Sequence, residues 1–176
     1  FTLRAYPYDE LETVIERRQV DFVITQPSHY IWISAYNALS SPLATLIDRD
    51  GKQSMPVYGG AIVVRADRAD ISKLADFKGK TVAIAGSQAF SSYQMQAYEL
   101  FKPGLAIPED IKLIEVGFPI DRPIEALLAG KADAAFVRMG LVEQMAEEGK
   151  LDPAQVKVIN AQRLAGSSYE FSTTLY

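Results

Sequence analysis

The chain has 176 residues, 48% hydrophobic and 23% charged, which is enough to bury a good core as one domain or two small lobes. A formal net charge of −4 and the lack of any basic cluster argue against a general nucleic-acid binder, because such proteins neutralise phosphates with Lys and Arg. Cysteine is absent, which excludes disulfides, thiolate metal sites and cysteine nucleophiles, and the single histidine, His29, has no second one for a metal site. No apolar run is long enough to span a bilayer and no charged-then-apolar leader is present, so the chain as given reads as neither a membrane span nor a secretory precursor. Its first residues already read as a strand, so it looks like a piece of a longer protein.

Phe1-Thr2-Leu3-Arg4-Ala5-Tyr6 reads as a first strand. Asp9-Glu10-Leu11-Glu12 opens a helix with acidic residues in its first turn, Leu11, Val14 and Ile15 form its apolar stripe, and Arg17-Arg18 sit near its end. Asp21-Phe22-Val23-Ile24-Thr25 reads as a buried strand closed by Pro27, with a helix over 28–37. This βαβ rhythm predicts a parallel sheet with a ligand crevice at its carboxyl edge.

Leu43-Ala44-Thr45-Leu46-Ile47 is strand-like, and Asp50-Gly51 predicts a hairpin-like excursion. Ala61-Ile62-Val63-Val64 is a buried strand, and the charged run Arg65-Ala66-Asp67-Arg68 after it is the candidate first crossing between lobes. A short helix over 72–77 leads to the central strand Thr81-Val82-Ala83-Ile84-Ala85. Further on, Ile111 to Val116 alternates as a strand, Pro123 to Leu128 is a helix stopped by Gly130, and Asp133 to Val137 is a buried strand. Leu141 to Glu148 is helical, Val156 to Ile159 is a strand, and Tyr169 to Tyr176 is extended, back in the first lobe.

Between the central strand and the helix Gln94 to Phe101 lies Gly86-Ser87-Gln88-Ala89-Phe90-Ser91-Ser92-Tyr93. A turn from a buried strand into a helix start is a natural anion site: the first helical N–H groups have no internal partner, and serine hydroxyls add donors. Serine is also an ordinary N-cap, and capping is the competing reading. Phe90 and Tyr93 place aromatic surface beside the hydroxyls, and no acidic residue falls between Gly79 and Tyr98 to repel an anion.

Several segments carry a resemblance. Phe90-Ser91-Ser92-Tyr93-Gln94-Met95 resembles the Phe-Gly-Gly-Tyr/Phe-Gln-Met segment of periplasmic sensor domains in tetrathionate-type sensor histidine kinases. The run from Asp121-Arg122 through Gly130-Lys131-Ala132-Asp133 to Val137-Arg138 is similar to their His-Asp-Arg…Gly-x-Ala-Asp…Val-Arg run, with Ile120 in place of the His. Ser172-Thr173-Thr174-Leu175-Tyr176 and Asp21-Phe22-Val23 through Pro27-Ser28-His29-Tyr30 match two further elements of the group. The wider family is that of phosphonate-binding periplasmic proteins, and the resemblance covers nearly the whole chain in order.

The resemblance implies an α/β, two-lobed type II periplasmic-binding-protein-like fold with a ligand cleft at the hinge. Lobe one would be 1–65 and 161–176, lacking the family's first strand and helix, and lobe two 66–160. The implied function is an extracytoplasmic, periplasmic ligand-sensing domain of a membrane-anchored two-component sensor histidine kinase or related signalling protein, with the solute-binding component of an ABC transporter as the alternative. The partners are a small anionic ligand and a membrane-attached signalling module, with a homodimer left open and no nucleic acid. No metal or cofactor is expected.

The candidate ligand residues are Thr25, Gln26, Ser28 and Tyr30 at the carboxyl end of one strand, Ser87, Phe90, Ser91, Ser92 and Tyr93 in the serine turn, Arg122 and Arg138, and Ser172 and Thr173. For Ser28 the competing reading is an N-cap after Pro27; for Arg138 it is a salt bridge with Glu143, for Arg122 a surface role, and for Ser172 and Thr173 ordinary sheet positions. His29, beside Tyr30 and Trp32, reads as a packing or hydrogen-bonding residue, since no nucleophile or carboxylate partner is recognisable near it in sequence. The domain is read as non-catalytic. Asp21 and Asp133 read as solvated turn residues.

Overall fold

A computed structural model describes residues 1–50, 53–55, 58–163 and 170–172. The chain forms two compact units, Phe1–Thr45 and Leu46–Tyr176.

The first unit holds two helices. Helix α1, Tyr8–Glu16, turns Ile15 inward, and α2, Pro27–Ser34, starts with proline at a position where the missing N–H costs nothing. His29 and Ile33 are its buried residues. The expected strands over 1–6, 21–25 and 43–47 are not strands. Their composition suits a sheet, but a strand exists only as one of a hydrogen-bonded pair, and these segments pair with no described residue. Phe22 and Ile24 are accordingly 70% and 77% exposed where burial was expected.

The second unit begins with the expected hairpin, in which β1, Asp48–Asp50, pairs antiparallel with β2, Gln53–Met55. Its body is a five-stranded sheet of β3 (Gly60–Arg65), β4 (Thr81–Ile84), β5 (Lys112–Glu115), β6 (Ala134–Arg138) and β7 (Val156–Val158), in the order β5-β4-β6-β3-β7. The expectation of a parallel sheet needs correction. β4 runs parallel to β5 and β6, but β3 runs antiparallel to β6 and to β7. Strand Gly60–Arg65, read from sequence as the end of lobe one, is thus hydrogen-bonded into the sheet of the residues that follow it.

Helices α3 (Met95–Phe101), α4 (Arg122–Leu128) and α5 (Leu141–Glu147) cover this sheet. Successive residues of a strand face opposite ways, so the uninterrupted apolar runs of β3 and β6 must be covered on both sides. Ala61, Val63, Ala135 and Val137 pack with Ile124, Leu127, Leu141 and Met145 of α4 and α5. Ile62, Val64, Ala134 and Phe136 pack on the other face with Phe77, Leu100 and Ile111. A second hairpin pairs β8, Ala161–Arg163, with β9, Glu170–Ser172.

Asp133 is an anchor, not the solvated turn residue expected. Its carboxylate accepts from Thr81 N at 2.8 Å and from Arg68 Nη1 at 2.6 Å, and Arg68 is held in turn by Asp70. Burial pushes the Asp133 carboxyl up, but these donors outweigh it and hold it below its ordinary range.

Candidate functional site

The register of the sheet decides what meets at its carboxyl edge. Ile84 lies opposite Glu115, and Gly60 lies opposite Arg138. The reversed strand β3 therefore starts where β4, β5 and β6 end, bringing Gly60, Gly86, Glu115 and Arg138 to one end of the sheet. A Cβ on Gly86 would lie 3.2 Å from Glu115 Oε1, so these two strand ends are in direct contact.

The serine turn rises from this edge. Ser87 and Gln88 are exposed, and the chain then makes a π-helical turn over Phe90–Gln94 before α3 begins at Met95. This disposes of capping as the role of the serines. The residues at the N-cap positions are Ala89 and Gln94, and neither makes a side-chain capping bond. Ser91 and Ser92 are instead buried, at 5% and 4% exposure. Phe90 and Tyr93 flank them half-buried, and burial pushes the Tyr93 phenol up, keeping its O–H a donor.

Arg138 ends β6 beside this turn. Its Nη1 donates to Met139 O at 3.0 Å and its Nη2 to Gln144 Oε1, so the alternative of a bridge to Glu143 is not what forms. Among the described residues no carboxylate lies within ion-pair distance of it. Arg122 opens α4, where its Nη1 stands 3.4 Å from Val116 O, and its side chain is exposed.

Two residues that the sequence reading passed over hold this edge together. Gln96 is fully buried, and its Nε2 donates to Ser91 O and Val137 O, each at 2.8 Å, with Ala61 O at 3.3 Å. Asn160, also buried, accepts from Ile62 N at 2.9 Å and donates to Gly60 O at 3.1 Å and to Glu99 Oε2 at 2.7 Å. The signal for Gln96 was present in the sequence as a polar residue on the apolar stripe shared with Tyr93 and Leu100.

In the first unit Thr25 Oγ1 lies 2.8 Å from His29 Nδ1, and Glu12 Oε1 stands 3.5 Å from Nε2 on the other side of the ring. The Tyr8 ring lies 4.5 Å from the imidazole, centre to centre. His29 is thus a packed, hydrogen-bonded residue, but with the carboxylate neighbour that its sequence surroundings did not reveal. Gln26 caps α2 through its backbone, Tyr30 Oη donates to Ser40 O at 3.1 Å, and the buried Ser28 hydroxyl is no cap and bonds to no described residue. Ser172 pairs with Ala161 in the second hairpin, and Thr173 lies outside the described residues.

The sequence profile of the family described as "ABC transporter, phosphonate, periplasmic substrate-binding protein" matches residues 2–169. The chain belongs to this phosphonate-binding family. Among characterised members, the tetrathionate sensor histidine kinase TtrS of Salmonella typhimurium is 31% identical over 153 residues, which cover 86% of this chain and 26% of the kinase. The phosphate-import protein PhnD of Mycolicibacterium smegmatis is 27% identical over 164 residues, or 89% of this chain and 50% of that protein. The chain thus spans about a quarter and a half of these two relatives.

Solved structures agree on the fold. XAC2383 from Xanthomonas citri, bound to ATP, superposes with a TM-score of 0.68 at 17% identity, covering 89% of this chain and 58% of that one. A binding protein component of an ABC phosphonate transporter from Pseudomonas aeruginosa gives 0.66 at 14% identity, covering 97% and 53%. The fold is therefore the type II periplasmic-binding-protein-like α/β fold. Family and relatives point to a periplasmic binding domain, and no helix among the described residues is long and apolar enough to cross a membrane.

Proposed function

We propose that this chain is the periplasmic ligand-sensing domain of a membrane-anchored sensor histidine kinase, binding a small oxyanion at the serine turn. One observation carries the binding part: two buried serines at the carboxyl edge of the sheet that cap no helix. Hydroxyls that cap no helix and stand at the carboxyl edge of the sheet can donate to a ligand that supplies acceptors. Tyr93 adds a neutral donor, and Arg138, which has no carboxylate within ion-pair distance among the described residues although Glu148 feels its charge, adds the positive charge that a desolvated oxyanion needs.

The domain binds and does not turn over its ligand. Occupancy can drive a signal only to the extent that one conformation gains ligand contacts that another lacks, so the output depends on differential affinity and not on tightness alone. The 31% identical sensor kinase favours signalling, while the import protein favours the solute-carrier reading.

Thermal unfolding against phosphonates, phosphate, sulfur oxyanions and carboxylates tests the binding. Ligand at a hundredfold excess over its dissociation constant adds about 2.7 kcal/mol, a rise of several degrees at this size. One oxyanion class should raise the midpoint, and Ser91→Ala combined with Ser92→Ala should abolish the rise. A rise that survives the double substitution would move the site elsewhere. Ligand-dependent autophosphorylation of the full-length protein in membrane vesicles separates sensor from carrier.

A further inference from the structure

We propose that Gln96 is the positioning residue of this ligand site, holding the serine turn and the Arg138 strand end in fixed register. The proposal rests on the reading of the serine turn as the oxyanion site and adds to it the part that sets its geometry.

The Gln96 carboxamide is oriented without ambiguity, because three backbone carbonyls face its nitrogen and only a donor fits there. Two of them matter for the site. Ser91 O belongs to the turn that carries the two serines, and Val137 O belongs to the residue before Arg138. A single planar group thus spans the two elements that would supply the hydroxyl donors and the guanidinium. Its own placement is enforced from the other side by Gly60. A Cβ there would lie 2.3 Å from Gln96 Nε2 and 2.6 Å from Ser91 O, so the absence of a side chain at 60 is what lets the carboxamide enter.

A structural filler would not need this arrangement. A leucine or methionine would fill the same volume without desolvating an amide, and the amide oxygen of Gln96 is itself buried with no donor among the described residues. Retaining a half-satisfied polar group in an apolar stripe is costly for stability and useful for geometry. Phosphoryl-type and sulfonyl-type oxygens are bound by donors at set directions, and small displacements of those donors forfeit much of the binding.

Gln96→Met keeps the volume and removes the three contacts. Hydrogen exchange read by NMR on the intact domain should show faster exchange at residues 91–95 and at 138–140 together, with the β4–β5 pair unchanged. In the unsubstituted protein the Gln96 side-chain amide protons should be protected. The oxyanion that stabilises the unsubstituted domain should bind Gln96→Met at least about tenfold more weakly. Unchanged exchange at both segments would overturn the positioning role, as would unchanged affinity in a variant whose serine substitutions still abolish binding. A domain that binds no oxyanion would overturn the ligand reading, while the exchange measurement would still decide whether Gln96 couples the two elements. If Gln96→Met fails to fold, the unsubstituted protein's side-chain amide decides: fast exchange there refutes the coupling.

Discussion

Adding one methyl group at Gly60 should cost more than its size suggests. The Cβ of Gly60→Ala would sit 2.3 Å from Gln96 Nε2, 2.5 Å from Gln96 Cδ and 2.6 Å from Ser91 O, where ordinary contacts are 3.4–4 Å, so about an ångström of movement is required. Moving Gln96 relieves the first two contacts at the loss of its two short bonds, and Ser91 O, which is backbone inside a π-turn, must shift as well. Overpacking costs about 1–3 kcal/mol and each lost hydrogen bond about 1 kcal/mol, against a gain of about 0.4–1 kcal/mol from the stiffer unfolded chain. Gly60 does not have a positive φ, so backbone strain adds nothing. The net is a loss of about 2–4 kcal/mol, or a midpoint lowered by roughly 5–15 °C at this chain length. Calorimetry or urea unfolding measures it directly. Combining Gly60→Ala with Gln96→Ala should recover about 0.5–3 kcal/mol relative to additivity, because only the contact with Ser91 O then remains. A Gly60→Ala midpoint within about 1 °C of the parent would refute the reasoning, since it would mean that the carboxamide does not occupy that space.

Other substitutions test other parts of the two units. Phe136→Ala, at a fully buried central-strand position, should cost about 3–5 kcal/mol in urea unfolding. Asn160→Ala strands Ile62 N and Gly60 O and should cost about 2–4 kcal/mol, whereas a loss under about 0.5 kcal/mol would show that water replaces the amide freely. The Asp133 carboxyl is held below its unfolded value of 3.8, so its contribution is present above that pH and is lost as pH falls through the folded value. Asp133→Asn should therefore flatten the acid limb of the stability profile below about pH 4, and an unchanged limb would assign acid sensitivity to other carboxylates. Phe22→Ser, at an exposed position, should change stability by less than about 0.5 kcal/mol, and a large loss would show that residue 22 is buried in solution.

What could be read from sequence followed the range of the interaction. The runs Ala61–Val64 and Ala134–Val137 are apolar on both faces, and that local fact sufficed to place two central strands. Gly130 and Gly149, both at positive φ, marked helix ends equally well. Direction was not local: nothing in Gly60–Arg65 itself says that it runs against β6, because pairing partners lie 70 or more residues away. Asp21–Phe22–Val23–Ile24 failed for a related reason, since strand propensity without a hydrogen-bonding neighbour leaves an extended, exposed chain. At the site, the serines were visible as a motif, while Gln96 and Gly60 were not, because their roles depend on each other across 36 positions of sequence.

The two serines where the family carries glycines bear on whether the turn is a damaged site or an altered one. Glycine at such a turn is needed when φ is positive or when another backbone approaches too closely for a Cβ. Neither demand applies to these positions. Ser92 sits at φ −117°, ψ 16°, and among the described residues Arg18 is the non-glycine residue with positive φ, so Ser91 and Ser92 carry no left-handed strain. The close approach in this region falls at Gly60. The hydroxyls are therefore additions that the backbone accommodates without strain, and they enter a turn already fixed by Gln96. An extra donor in a rigid frame sharpens selection among oxyanions, whereas in a loose one it would only add a desolvation penalty. The ligand of this domain should accordingly differ from that of a glycine-turn relative in the number and direction of its acceptors.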